Sequence, residues 1–137
     1  MPRSLLALLT LGLVGCISAK RQEQAAAQES LGAAYLREGN PPAAVGVLRE
    51  AVRLDPRNFE AWEKLALAYM APGVLDDSEA AFRKALRLSP DRAEIRNNYG
   101  LLLMELERRP EAIEQFESAL ADICLLYTSP SPRDGTK

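Results

Sequence analysis

Catalysis in a small protein rests on few residue types, and the commonest of them is missing here: the chain of 137 residues contains no histidine. That removes the usual general base, the serine–histidine–aspartate triad and every histidine-containing zinc site. Two thiols, Cys16 and Cys124, could form at most one disulfide. Neither their number nor their spacing is that of a disulfide scaffold or a metal knuckle. Carboxylates cluster at Asp76, Asp77 and Glu79, but this cluster opens a predicted helix, where the positive end of the backbone dipole favours acidic side chains. Glu105, Glu107, Arg108 and Arg109 read as the solvated end of another helix. No glycine-rich phosphate loop or metal-ligand spacing is present. We therefore expect no catalytic, cofactor-binding or metal-binding residues, no small-molecule substrate and no enzymatic activity. A net charge of −2 argues against a nucleic-acid partner, which calls for an excess of Lys and Arg. With 47% hydrophobic residues and this length, the chain suits one domain.

The two ends stand apart from the rest. Arg3 precedes Leu5 to Val14, an apolar run interrupted only by Thr10 and Gly12. A membrane span needs about 20 apolar residues, so this run is too short for one, and it has the charge, length and small-residue ending of a secretory signal. Its last residues, Leu13-Val14-Gly15-Cys16, resemble the bacterial lipobox. That resemblance implies a signal peptide over residues 1–15, cleavage before Cys16, a diacylglycerol on its sulfur and acylation of the new amino terminus. No other cofactor is implied. Each buried CH₂ adds about 0.8 kcal/mol, and one chain alone binds only marginally, so several chains make the anchor. Ile17 follows the cysteine; in the known sorting system an Asp there retains the protein at the inner membrane, so the resemblance implies the outer membrane. Residues 16–24 are expected to be the lipidated cysteine and a short linker. At the other end helical periodicity stops at Ile123, and Cys124 to Asp134, CLLYTSPSPRD, resembles the translation of a transposase adapter used in sequencing libraries. Residues 124–137 are accordingly set aside from fold reasoning as a non-native tail, which implies a longer natural protein.

Between the ends the chain repeats. Asp55-Pro56 and Ser89-Pro90 share an offset of 34, and on that offset the other marks come into register: Gly32, Ala66 and Gly100; Leu48, Phe82 and Phe116; Ala51, Ala85 and Ala119. With Trp62, Tyr35, Tyr69, Tyr99 and the two prolines, these marks resemble the tetratricopeptide repeat, a helix–turn–helix unit of 34 residues. The repeats run 25–58, 59–92 and 93–123, the last truncated. The expected fold is all-α, with tetratricopeptide-repeat hairpins stacked in a right-handed superhelix of about two and a half to three repeats. Small residues let paired helices approach, Leu48, Phe82 and Phe116 fill the gap between them, and Leu31/Tyr35, Leu65/Tyr69 and Tyr99/Leu103 share a face. Helices are predicted at about 21–38, 42–54, 58–71, 75–88, 92–107 and 110–123, with prolines and glycines at the breaks. The last helix lacks a successor, so Ile113, Phe116 and Leu120 should be under-covered, leading to fraying or self-association.

The repeat family's groove is lined by the first helix of each unit. Carried onto this sequence, the groove residues are Leu36 and Arg37; Glu60, Glu63, Leu67 and Met70; and Glu94, Asn97, Leu101 and Met104. They form an apolar strip edged by carboxylates, which implies a hydrophobic segment or helix with basic flanks as the partner. The basic clamp of family members that bind acidic chaperone tails is missing.

A lipobox followed closely by these repeats, together with Asn97-Asn98-Tyr99-Gly100 and Glu111-Ala112-Ile113-Glu114-Gln115-Phe116-Glu117, resembles the type IV pilus biogenesis and stability lipoproteins, the PilF/PilW family of pilotins. The resemblance implies a lipid-anchored scaffold on the periplasmic face of the bacterial outer membrane. Its partner would be the pilus secretin subunit, which it helps to reach that membrane and to multimerise. Two other readings use the same residues: another lipoprotein adaptor of the cell envelope, serving peptidoglycan hydrolases or outer-membrane assembly, and the amino-terminal part of a longer enzyme.

Overall fold

A computed structural model describes residues 3–127, with side chains described from residue 15 onward. Much of the signal peptide and residues 128–137 of the expected tail therefore lie outside the described side chains. The described residues form six helices: α1 Arg3–Arg37, α2 Pro41–Leu54, α3 Phe59–Met70, α4 Leu75–Leu88, α5 Ala93–Glu105 and α6 Arg109–Tyr127. The four inner helices lie within a residue or two of their predicted bounds. Both outer ones run longer. α1 passes without a break through residues 16–24, which were expected to be a linker: no proline interrupts it, and Ala19 to Gln24 are good helix formers. Residues 15–24 of α1 are exposed, and packing begins at the buried Ala25. α6 likewise continues past Ile123 through Cys124 to Tyr127, with those last side chains in solvent. No helix among the described residues is long and apolar enough to cross a membrane.

Chain punctuation repeats as faithfully as the packing. Asn40 and Asn58 cap α2 and α3, each side-chain oxygen accepting from the backbone N–H three residues on, at 3.3 and 3.0 Å. Pro41 opens α2, where no N–H partner is needed. The first helix of every unit ends the same way: Gly39, Gly73 and Glu107 adopt positive φ (71°, 81° and 58°). In each turn the N–H of the next residue bonds back to Tyr35, Tyr69 or Leu103 at 2.8 to 3.0 Å. Glycine takes this conformation freely; Glu107 holds it against the clash of its own Cβ.

Helices pair as α1 with α2, α3 with α4 and α5 with α6; α2 touches α3 and α4 touches α5, while α1, α3 and α5 also touch along one side. The second helices, α2, α4 and α6, do not touch one another. Closer spacing on the first-helix side curves the stack, so α1, α3 and α5 line its concave face. A Cβ on Gly32 would collide with Leu48, and one on Gly100 would lie 2.5 Å from the Phe116 ring. These are the small-residue contacts expected from the spacing of 34. Leu48 and Phe82 are fully buried, each between its own hairpin and the next. Phe116, with no later hairpin among the described residues, is half-buried, and Ile113 and Leu120 are 55% and 62% exposed. Leu31 departs from the expected core for the mirror-image reason. Its repeat mates Leu65 and Tyr99 are buried, but Leu31 is 42% exposed, since no hairpin precedes it among the described residues.

Candidate partner-binding groove

The concave face is built by α1, α3 and α5, and cross-helix polar bridges hold these helices at a fixed spacing. Glu29 of α1 accepts from Lys64 Nζ at 2.7 Å and from Asn58 Nδ2 at 2.8 Å. One repeat further on, Glu63 of α3 accepts from Asn98 Nδ2 of α5 at 3.0 Å. Geometry repeats; charge does not. Burial raises the pKa of both carboxyls, but the Lys64 ammonium and its hydrogen bond outweigh it for Glu29, which ends below the usual range. For Glu63 burial dominates; the neutral Asn98 amide and the more distant Lys64 charge favour the carboxylate, Glu94 and Glu60 oppose it, and its pKa ends above that range. The groove thus contains a half-buried carboxylate with no full counter-charge.

The expected groove residues differ in exposure. Leu36, Leu67 and Met70 are half-buried against the core, leaving only part of each side chain to a partner. Leu101 and Met104 are 46% and 45% exposed on α5. Arg37, Glu60, Glu94 and Asn97 are exposed. Glu60, Glu63, Leu67 and Glu94 meet around a cleft of about 210 Å³, together with Phe59, Lys64, Arg92 and Ile95. Asn97 lies instead on a larger apolar cleft of about 480 Å³ at the end of the stack, which it shares with Glu94, Phe116, Leu120 and Ile123. Leu36, Arg37, Met70, Leu101 and Met104 line neither. Sequence reasoning missed Lys64 and Asn98, although the offset of 34 that links Glu29–Lys64 to Glu63–Asn98 was available. It also missed Arg92, whose guanidinium sits 4.9 Å over the Phe59 ring.

A second network braces the outer side of the last two repeats. Glu79 receives Arg108 Nη1 at 2.8 Å and the Tyr99 hydroxyl at 3.0 Å, with Arg83 Nε 3.2 Å away. Burial would raise the Glu79 pKa, but Arg108, Tyr99 and Arg83 together hold it below the usual range. Within the expected acidic cluster, then, Glu79 is a structural ion-pair centre, while Asp76 and Asp77 occupy the first turn of α4. Among the described residues no group of His, Cys, Asp or Glu could hold a metal ion.

Two tetratricopeptide-repeat family models match the chain, over residues 25–68 and 63–124. The chain is a tetratricopeptide-repeat protein. It is 33% identical over 129 residues to the type IV pilus assembly protein PilF of Pseudomonas aeruginosa, an alignment covering 87% of this chain and 51% of that protein. The chain therefore spans about half the length of the curated relative it matches. A solved Pseudomonas aeruginosa PilF structure superposes with a TM-score of 0.68 at 33% identity, over 73% of this chain and 45% of that one. The repeat protein MamA superposes at 0.72 with 26% identity, over 77% and 62%. The second repeat domain of Spaghetti (RPAP3), solved with an HSP90 peptide, superposes at 0.71 over 74% and 94%; at 20% identity that likeness is one of fold.

Proposed function

We propose that this protein is a lipid-anchored repeat scaffold whose concave groove holds a subunit of the type IV pilus secretin, acting as a pilotin at the periplasmic face of the outer membrane. The observation that carries this reading is the 33% identity to PilF across 87% of the chain. The groove supports it chemically. On the same face, exposed Leu101 and Met104 offer apolar contact and the cleft at Glu60, Glu63 and Glu94 offers carboxylates, which together suit an apolar segment with a basic flank. Cys16 is exposed on α1, ahead of Ala25 where burial in the repeats begins, so a lipid there would leave the packed core untouched. Lipid and groove would act as two linked weak attachments, each raising the effective concentration of the other.

The test is co-purification of the secretin subunit with the full-length protein in cells. Leu101→Glu with Met104→Glu should cut secretin recovery at least tenfold without loss of helical signal, and Cys16→Ser should move the protein from the membrane to the soluble fraction. Unchanged recovery would remove the groove from this reading; full membrane retention of Cys16→Ser would remove the anchor.

A further inference from the structure

The side of the stack opposite the groove has its own cleft. Because α2 and α4 do not touch, a gap of about 380 Å³ opens between them above α3. Val52, Trp62 and Tyr69 form its apolar floor, and Arg49, Lys84 and Arg87 stand around it, with Asp77 the one acidic side chain in its lining. Trp62 already donates its indole N–H to the Pro56 carbonyl at 3.0 Å, so the floor asks for apolar contact only. None of the three cations has an ion-pair partner among the described residues, whereas Arg53, Lys64, Arg83, Arg96 and Arg108 are all paired.

The equivalent cleft one repeat later shows what this one lacks. Moving 34 residues along, Arg49 becomes Arg83, which is tied to Glu79; Trp62 becomes Arg96, which reaches Asp122 and Gln115; and Asp77 becomes Glu111, which pairs with Arg108. Lys84 and Arg87 become Ser118 and Ala121. At the second position the charged side chains are thus tied to partners of their own. The first keeps an aromatic floor and three unmatched positive charges.

We propose that the cleft between α2 and α4 is a docking site, separate from the concave groove, for an acidic peptide segment carrying one large apolar side chain. The apolar side chain would lie on Trp62 and Tyr69, and the flanking carboxylates would pair with Arg49, Lys84 and Arg87. Charge complementarity selects this occupant: the concave face, with its excess of carboxylates, would repel it.

Trp62 is the single tryptophan and lies in the floor, so its fluorescence reports occupancy directly. The probe is a short fluorescein-labelled peptide of Glu and Asp flanking a central Phe, titrated into the purified full chain. Saturable binding with a change in Trp62 emission is expected, weakening at least tenfold in Arg49→Glu with Lys84→Glu and as salt rises from 50 to 500 mM. Arg49→Gln with Lys84→Gln, which leaves the helix surfaces neutral, should weaken it by a smaller factor in the same direction. Leu101→Glu with Met104→Glu should leave it unchanged, which separates this site from the groove. Absence of binding, equal binding of a peptide with Lys in place of the acids, or loss in the Leu101/Met104 variant alone would overturn the proposal. So would a Trp62 response to phosphatidylglycerol vesicles but not to the peptide.

Discussion

Phe82 lies where two repeats become one structure, which makes its removal the most informative perturbation of the fold. The ring is fully buried in a cluster with Ala66, Ala85, Ile95 and Leu102, and its centroid lies 6.0 Å from that of Tyr99. It fills the space inside its own hairpin and also supports α5 of the next one. Replacing it with alanine removes roughly 100 Å² of buried apolar surface, or about 2.5 kcal/mol at about 25 cal/mol per Å². Rigid helices on three sides cannot close the hole, and the residual cavity brings the expected loss to about 3–5 kcal/mol. Urea unfolding of the full chain, followed by far-ultraviolet circular dichroism and by Trp62 fluorescence, measures it. Trp62 packs on both core clusters, so its fluorescence reports the contacts of the second repeat with both neighbours, whereas circular dichroism reports all helices. Because Phe82 couples the second and third repeats, both transitions should move to lower urea in Phe82→Ala. A loss below about 1.5 kcal/mol, or a Trp62 transition that does not move, would refute the packing described for this residue.

Three other outcomes are expected. Glu107→Gly relieves the one non-glycine turn of the three and should stabilise the chain by about 0.5–1 kcal/mol in the same urea assay; destabilisation would mean that the Glu107 side chain contributes contacts outweighing its backbone strain. Glu79 has a depressed pKa when folded, so its contribution is complete above the ordinary carboxyl value and disappears as pH falls through the folded one. Glu79→Gln should therefore lower the melting temperature at pH 7, with a gap to the parent that narrows at pH 3. Glu63 is shifted the other way, and its ionisation costs stability as pH rises through its raised value. Glu63→Gln should raise the melting temperature at pH 7 and leave it nearly unchanged at pH 4, and a fall at pH 7 would show that the charged carboxylate is itself stabilising.

What could be read along the chain was whatever depends on nearby residues and on the offset of 34. Helix propensity, the Asn caps, the glycine turns and the small residues at Gly32, Ala66 and Gly100 all act within one hairpin, and each recurs, so their register determined the fold before any coordinates. Burial of Leu48 and Phe82 followed from the same register. At the ends of the stack burial depends on a neighbour rather than on residue type: the incomplete cover of Phe116 was expected from the lack of a later helix, whereas the exposure of Leu31 was not. Local rules also misplace the ends of α1 and α6, since helix formers outside the repeats still form helix. Tertiary structure alone decided the chemistry between helices. Which acid meets which cation depends on side chains about 30 residues apart in sequence, so the contrast between Glu29 and Glu63, and the pairing of the charges at one outer position while those of its predecessor stay unpaired, lay beyond sequence reading. So did the unequal exposure along the groove. Leu67 and Met70 pack against a cluster that includes residues of α5, whereas their repeat mates Leu101 and Met104 have no later hairpin among the described residues to cover them.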